Sequence, residues 1–430
     1  MTLAVRARSL RALLALPLLA VPASLQASGF AIESQGSRAM GFAGAYVAQA
    51  TDPSAIFFNA AGIGFLKGKH LYITGALSSR SSDFIGVGPK PPAGTLESST
   101  RSVAVLPSIY YSQQVGDKAV FGLGVSRPFD NRLEWQNPDA FTGRYICVAC
   151  QIDSWSINPT IALRLADRFA IGAGVDVRFS SFELRHRLVA DPNPFPVPTD
   201  VAELSLASSR DRGIGFNVGM LAMPSENVSI GLAYRHEVKI DHAAQASFTQ
   251  ILTGNLALDQ AVAIALPSSQ PATVSFSYPA SVAAGVALRR GYWTVEADFQ
   301  YLMWSSFDAI TISYLETSAL DNTLQQDWLS SWRAAIGIEY LIRDDWELRM
   351  GYGYDRNPAP PETISPFIHD AARHSFGAGG TWKYENVRLD FNLRYLLFQT
   401  TSTLGLSSYD YNGAYKPSGL QLGASLGYRF

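Results

Sequence analysis

The chain ends in a segment whose apolar and polar positions alternate strictly. Leu420, Leu422, Ala424, Leu426, Tyr428 and Phe430 share one face, and Gln421, Gly423, Ser425, Gly427 and Arg429 share the other. Successive strand side chains point to opposite sides, so this is a ribbon with one oily face and one polar face. Its closing aromatic and outward apolar face suit a β-barrel strand in an outer membrane. Two further segments repeat the pattern. Val228, Ile230, Leu232, Tyr234, His236 and Val238 oppose Ser229, Gly231, Ala233, Arg235, Glu237 and Lys239. Phe391, Leu393, Tyr395 and Leu397 oppose Asn392, Arg394 and Leu396.

From about residue 70 the strand-like segments are joined by two kinds of connection. Tight turns are expected at Gly116-Asp117-Lys118, Ala166-Asp167-Arg168, Pro224-Ser225-Glu226-Asn227, Arg289-Arg290-Gly291, Arg343-Asp344-Asp345 and Tyr384-Glu385-Asn386. Most carry the glycine, proline, asparagine or aspartate that turns require. Long loops are expected between them, over residues 81–101, 136–150, 191–203, 243–270, 309–327, 355–371 and 399–415. Short turns on one side and long loops on the other predict an all-β fold, a transmembrane antiparallel β-barrel of about fourteen strands. Trp135, Trp155, Trp293, Trp328, Trp346 and Trp382 fall near expected strand ends, as an interfacial aromatic girdle would.

Composition agrees. Of 430 residues only 16% are charged, with a formal net charge of -2, so nothing favours a nucleic-acid partner. Residues 1–27 read as a signal peptide: Arg6, Arg8 and Arg11 precede the apolar run Leu13 to Val21, and Leu25-Gln26-Ala27 offers a cleavage site before Ser28. No later stretch is apolar for the roughly 18 residues a spanning helix needs. A chain that spans lipid without such a helix must close as a barrel, since lipid cannot bond the backbone. No second domain is evident. Pro192, Pro194, Pro196 and Pro198 mark a stiff outer loop.

Residues 28–68 do not read as strands. Gly36, Gly41, Gly44 and Ala45 lie in a small-residue stretch, followed by Thr51-Asp52-Pro53-Ser54-Ala55-Ile56-Phe57-Phe58-Asn59-Ala60-Ala61-Gly62. Such a segment suits short helices packed inside a wide barrel, with Asp52 or Thr51 capping a helix that begins at Pro53. This segment resembles the N-terminal hatch of the FadL family, transporters of long-chain fatty acids and other hydrophobic compounds. The resemblance rests on Gly29-Phe30, on Ala50 to Gly62, on Tyr234 to Asp241, on Trp304-Ser305-Ser306-Phe307, and on Asp345 to Tyr352 followed by Pro358 and Pro360. It implies a hatch over 28–68, with Gly29, Phe30, Phe58, Asn59, Ala60 and Ala61 as its marker residues, and a barrel over 69–430. One departure is Asn59-Ala60-Ala61, where the family usually has Asn-Pro-Ala.

The resemblance further implies transport without chemistry: capture at outer loops, passage to a lumen pocket, hatch movement, and lateral release through a kink in the third strand. Gly122, Gly124 and Pro128 are the expected opening, since proline cannot donate to a sheet ladder and glycine permits a bend. Ile251, Leu252, Leu256, Leu258 and Ile264 in the fourth loop suggest a capture groove, with a short helix from Asn255. Arg178, Arg235 and Lys239 are placed in the lumen by alternation and could meet a carboxylate. Cys147 and Cys150 are expected to form a local disulfide rather than a metal site. No cofactor and no metal are expected. The expected partners are a hydrophobic small molecule and outer-membrane lipid, the chain acting as a monomer. The cargo stays open between fatty acids and aromatic hydrocarbons. A general diffusion porin is a competing reading. A barrel hydrolase is another: Gly423-Ala424-Ser425-Leu426-Gly427 matches G-x-S-x-G but lacks the strand-to-helix turn that motif needs.

Overall fold

The computed structural model describes residues 29–49, 51–190 and 198–430. The expected signal peptide, with Ser28, Ala50, Pro192, Pro194 and Pro196, lies outside them. The described chain forms a closed antiparallel barrel of fourteen strands. Those with one uninterrupted span are β1 (Lys69–Gly86), β2 (Ser102–Val115), β4 (Ala149–Ala166), β5 (Phe169–Ala190), β11 (Trp346–Asp355), β12 (Arg373–Tyr384), β13 (Val387–Phe398) and β14 (Gly413–Arg429). The others are broken: β3 (Ala119–Ser126, Asp130–Glu134), β6 (Thr199–Ser208, Asp211–Ser225), β7 (Val228–Arg235, Val238–Gln250), β8 (Ser269–Tyr278, Ser281–Arg290), β9 (Trp293–Leu302, Ala309–Tyr314) and β10 (Asn322–Gln325, Ser331–Arg343). Closure is made by β1 against β14, from His70 opposite Arg429 to Gly86 opposite Gly413. Among the described residues no helix is long and apolar enough to cross a membrane.

Alternation is realised as expected in β13 and β14. Phe391, Leu393, Tyr395, Leu422 and Leu426 are exposed on the outer face, while Asn392, Arg394, Gln421 and Ser425 are buried inside. The six tight turns fall where turn residues were found. The long connections are shorter than expected at several places. β5 runs for 22 residues, more than the apolar band requires, and β7 continues to Gln250. Polar residues let these ladders extend beyond the lipid while keeping their hydrogen bonds.

The breaks change which residues face inward. In β7, Gly231 is buried before the break, whereas Val238, Ile240 and His242 are buried after it. The parity has flipped across His236-Glu237. β8 does the same: Ala283 and Ala287 face in at one end, Phe276 and Tyr278 at the other. The expected lumen position of Lys239 is therefore wrong. Lys239 is exposed, beside the buried Val238 and Ile240.

Two distinct interiors result. Toward the loops lies a large apolar core that includes Phe84, Phe129, Trp135, Phe276, Tyr278, Trp304 and Trp328. Toward the tight turns the lumen is polar and holds the N-terminal segment. Trp135 and Trp328 are 1% and 2% exposed and belong to the core, not to a girdle. A girdle does exist at the turn end, where exposed Tyr292, Trp293, Tyr340, Tyr384 and Tyr428 cluster, Trp293 packing 4.4 Å from Tyr340.

If the outer face of β14 meets lipid, Leu422→Arg should destabilise the barrel by roughly 2–4 kcal/mol, and a polar substitution at neighbouring Gln421 by much less. Equilibrium unfolding in lipid vesicles would measure both; equal effects would contradict the assigned faces.

Candidate functional site in the barrel lumen

The N-terminal segment fills the lumen because the wall is carved to receive it. A Cβ on Gly172 of β5 would stand 2.4 Å from the Ala60 carbonyl carbon. One on Gly351 of β11 would stand 2.3 Å from that of Phe42. Only glycine allows backbone to lie directly on the wall at these points. Gly122 and Gly124 serve the same purpose, since Cβ atoms there would meet Ile56 at 2.8 and 3.0 Å. They sit in regularly paired strand, so the expected bend is not at these glycines. The break lies at Arg127-Pro128-Phe129, leaving Pro128 as the residue of that set at the interruption.

At this break the N-terminal segment takes over the ladder. Ile32 donates its N–H to the Pro128 carbonyl (2.8 Å), and Asp130 donates to the Phe30 carbonyl (3.2 Å). Ala31 bridges Phe129 antiparallel. The Phe30 ring sits 5.0–6.3 Å from Phe129, Tyr278, Trp304, Phe307 and Trp328.

Farther along, the segment is held by charge. Glu33 accepts from Arg333 (3.0 Å) and Arg394 (3.1 Å). Arg38, in α1 (Ser37–Gly41), meets Glu339 (2.5 Å) and Glu347 (2.6 Å). The backbone turn at Tyr46 to Gln49 donates to Asp298 and Glu296 of β9. A short helix follows at α2 (Ala55–Phe58), two residues beyond the expected Pro53 start. Asp52 stabilises the turn before it by accepting the Ser54 N–H at 2.9 Å. Ala60 opens a 3-10 helix, Ala60–Phe65, with Asn59 accepting from Ala61 (3.2 Å) and donating to Val47 (2.9 Å) and Met220 (3.0 Å). A first helical position accommodates proline or alanine, which explains why the departure at Ala60 leaves the segment seated.

Between segment and wall lies an inner cavity of about 950 Å³, mouth included. Phe57, Phe58, Phe129 and Leu302 supply apolar lining, and Glu33, Asp298, Arg235 and Arg333 supply charge of both signs. Arg235 bonds the Phe57 carbonyl (2.9 Å) and Asp176 (3.0 Å). Asp176 also holds Arg178 at 2.6 Å. Arg178 is fully buried, 4.9 Å from the Phe129 ring centre and 5.2 Å from that of Tyr278. The structure thus joins two of the three expected cations through one aspartate. Sequence reasoning missed Asp176, although Asp176 and Arg178 stand two apart in an apolar run, both on the inward face.

The other expected residues lie apart. Leu252, Leu256 and Ile264 are strongly exposed on the loop side, Ile264 at 87%, while Ile251 and Leu258 are half-buried. Helix α3 (Leu256–Ala265) is present, and Asn255 caps it by accepting from Ala257 and Leu258. Cys147 and Cys150 are joined to each other. Ser425 lies inside and accepts the Ser37 N–H at 3.1 Å, a seat for the segment. His242 does approach a serine, Ser180 (3.0 Å), but its ring stacks on Phe276 in the packed core, and its other nitrogen faces the Val274 carbonyl.

The closed strand-made wall and the filled lumen define an outer-membrane transport barrel. The profile of the family described as outer membrane protein transport protein (OMPP1/FadL/TodX) matches residues 18–430, and the chain belongs to that family. The long-chain fatty acid transport protein of Salmonella typhi is 24% identical over 347 residues, 72% of this chain and 74% of that protein. Outer membrane protein P1 of Haemophilus influenzae is 24% identical over 332 residues, 70% and 69% of the two chains. Among solved structures, a Pseudomonas aeruginosa FadL homologue superposes with a TM-score of 0.80 at 18% identity, covering 94% of this chain and all of that one (100%). The Pseudomonas putida toluene transporter TodX gives 0.69 at 17%, covering 94% and 99%. The protein is accordingly placed in the bacterial outer membrane.

Over the lumen, the loop after β11 brings two titratable neighbours of opposite tendency into the interior. Burial pushes the Asp370 carboxyl up to about 6, although it accepts the Gly29 N–H at 2.6 Å. Burial pushes the His369 imidazole down to about 4. Folded protein holds the Asp370 proton that the unfolded chain has already lost, so acidification from about 6 toward 3.8 stabilises through Asp370. It destabilises through His369 between 6.5 and about 4. The two contributions oppose. Asp370→Asn should make thermal stability fall more steeply from pH 6.5 to 4, and His369→Gln less steeply, as followed by unfolding in detergent micelles. Parallel profiles for both variants and the parent would refute this assignment.

Proposed function

We propose that this chain takes up long-chain fatty acids or related hydrophobic compounds across the outer membrane. The observation that carries the reading is the inner cavity, whose apolar wall ends at the break in β3 where Pro128 and Phe129 stand. A cargo there sits beside an interruption in the barrel wall. Sideways release into lipid spares it the cost of entering water, roughly 25 cal/mol per Å² of apolar surface. The exposed apolar residues on and before α3 serve capture, and the segment 29–66 acts as a hatch.

A fatty acid is favoured over a neutral aromatic because Arg178 and Arg235 share one counterion, Asp176, and Arg235 lines the cavity, along with Arg333, Glu33 and Asp298. A charge-assisted bond to a cargo carboxylate is worth about 1.5–3 kcal/mol. A diffusion porin is disfavoured by the segment in the lumen.

The test is uptake of labelled long-chain fatty acid and of labelled toluene in cells lacking their own transporter. Fatty-acid uptake is expected with this chain, and Arg235→Gln should lower it about tenfold, the equivalent of ~1.4 kcal/mol. Toluene uptake alone would remove the carboxylate requirement; uptake of neither by a correctly folded barrel would overturn the reading. Removal of residues 29–66 should raise single-channel conductance in planar bilayers. Unchanged conductance would show that the segment is not a hatch.

A further inference from the structure

The inner cavity meets the barrel wall at a second place besides the β3 break. Val218 of β6 and Tyr234 of β7 stand opposite each other in the ladder. By alternation both face outward, in phase with the exposed Phe216 and Leu232. Both nevertheless line the inner cavity, together with the inward-facing Asn217 and Arg235. The cavity thus reaches the sheet at the point where the β6–β7 ladder ends.

That ladder runs from Ser225 opposite Val228 to Asn217 opposite Arg235, and resumes only at Ser208 opposite Ala244. Between the two runs the strands diverge. Arg212 to Gly215 keep their register with β5, and Val238 to His242 keep theirs with β8, but neither edge has a ladder partner in the other. The gap is pinned at its corners. The His236 N–H meets the Phe216 carbonyl at 2.8 Å, and the Ala243 N–H meets the Asp211 carboxylate at 2.9 Å. Side chains close the rest. A Cβ on Gly213 would stand 2.5 Å from Val238 and 2.8 Å from Ile240, and one on Gly215 2.7 Å from Val238, so these apolar side chains lie directly on the β6 backbone. On the outer face the Phe216 and His236 rings stack at 4.6 Å, and the Tyr234 hydroxyl is 3.0 Å from His236 Nδ1. At the β3 break the N-terminal segment supplies backbone bonds; here apolar packing and an aromatic cover do the sealing. Parting side chains strands no backbone donor in lipid, whereas parting a ladder does.

We propose that the gap between β6 and β7 is a second lateral passage, through which an apolar cargo leaves the inner cavity for lipid past Val218 and Tyr234. The inference rests on the uptake reading above and deepens it by naming an exit other than the β3 break. Tyr234 is the gate, since it belongs at once to the cavity lining and to the aromatic cover. Phe216 on one bank and Val238 on the other keep the passage apolar.

The test compares two engineered disulfides in the full chain, in cells lacking their own transporter and supplied with labelled long-chain fatty acid. Phe216→Cys with His236→Cys staples the corner of the gap. Ala31→Cys with Phe129→Cys staples the N-terminal segment to the β3 break. Both pairs join positions that are already neighbours across strands. Each is built on a parent carrying Cys147→Ser and Cys150→Ser, so that reductant acts on the staple alone. The oxidised Phe216–His236 staple should lose most of the parent's uptake and regain it on reduction, whatever the other staple does. Loss with the Ala31–Phe129 staple alone would overturn the second passage and leave β3 as the exit. Undiminished uptake with both staples oxidised would overturn it as well. Val218→Trp narrows the passage without a staple and should also lower uptake. If the stapled barrel does not fold, this variant decides, and uptake equal to the parent's overturns the passage. A folded parent that takes up nothing would overturn the uptake reading, and the passage with it.

Discussion

The structure depends on one constraint: inside lipid every backbone N–H and C=O must be bonded within the protein. A sheet meets it only by closing on itself, here through β1 and β14. Closure at fourteen strands encloses more space than inward side chains can fill. The N-terminal segment occupies that space, and it must bring bonding partners with it. Many of its contacts with the wall are accordingly polar: backbone amides on Asp298 and Glu296, and Arg38 and Glu33 in ion pairs with the wall.

Removing charges from water is expensive, and removing one member of a buried pair costs about 3–5 kcal/mol. The lumen charges are therefore shared. Glu347 meets Arg38, Arg349, Lys383 and Arg388, and Asp355 meets Arg333 and Arg373. This network fixes the segment from Glu33 to Arg38 against β10, β11 and β13.

The fold was legible because the barrel's constraint is periodic. Leu420 to Phe430 alternate without interruption, and their strand is regular from end to end. The turn residues at Gly116, Asn227 and Glu385 fell where the ladder reverses. What alternation could not reveal is a change of phase inside a strand. Counting through His236-Glu237 places Lys239 in the lumen, and the break there turns it outward. The same limit applied to Trp135 and Trp328, which lie at strand ends in the chain yet fold inward among Phe141 and Phe30. Gly122 and Gly124 were legible as special positions, but their purpose, room for Ile56, depends on a segment far away in sequence. Arg178 and Arg235 stand out by charge on an inward face; their shared Asp176 needs the pairing of β5 with β6 and of β6 with β7 to appear.

The N-terminal strand joins these themes. Gly29 to Glu33 complete the ladder that β3 leaves open, and anchor at Asp370 on one side and at Arg333 and Arg394 on the other. The two ends are not equally firm. Ile32 and Phe30 hold β3 through two backbone bonds, each worth a net ~0.5–1.5 kcal/mol. Glu33 onward is held by buried ion pairs several times stronger to break. The segment is therefore held unevenly, loosely from Gly29 to Ile32 and firmly from Glu33 onward.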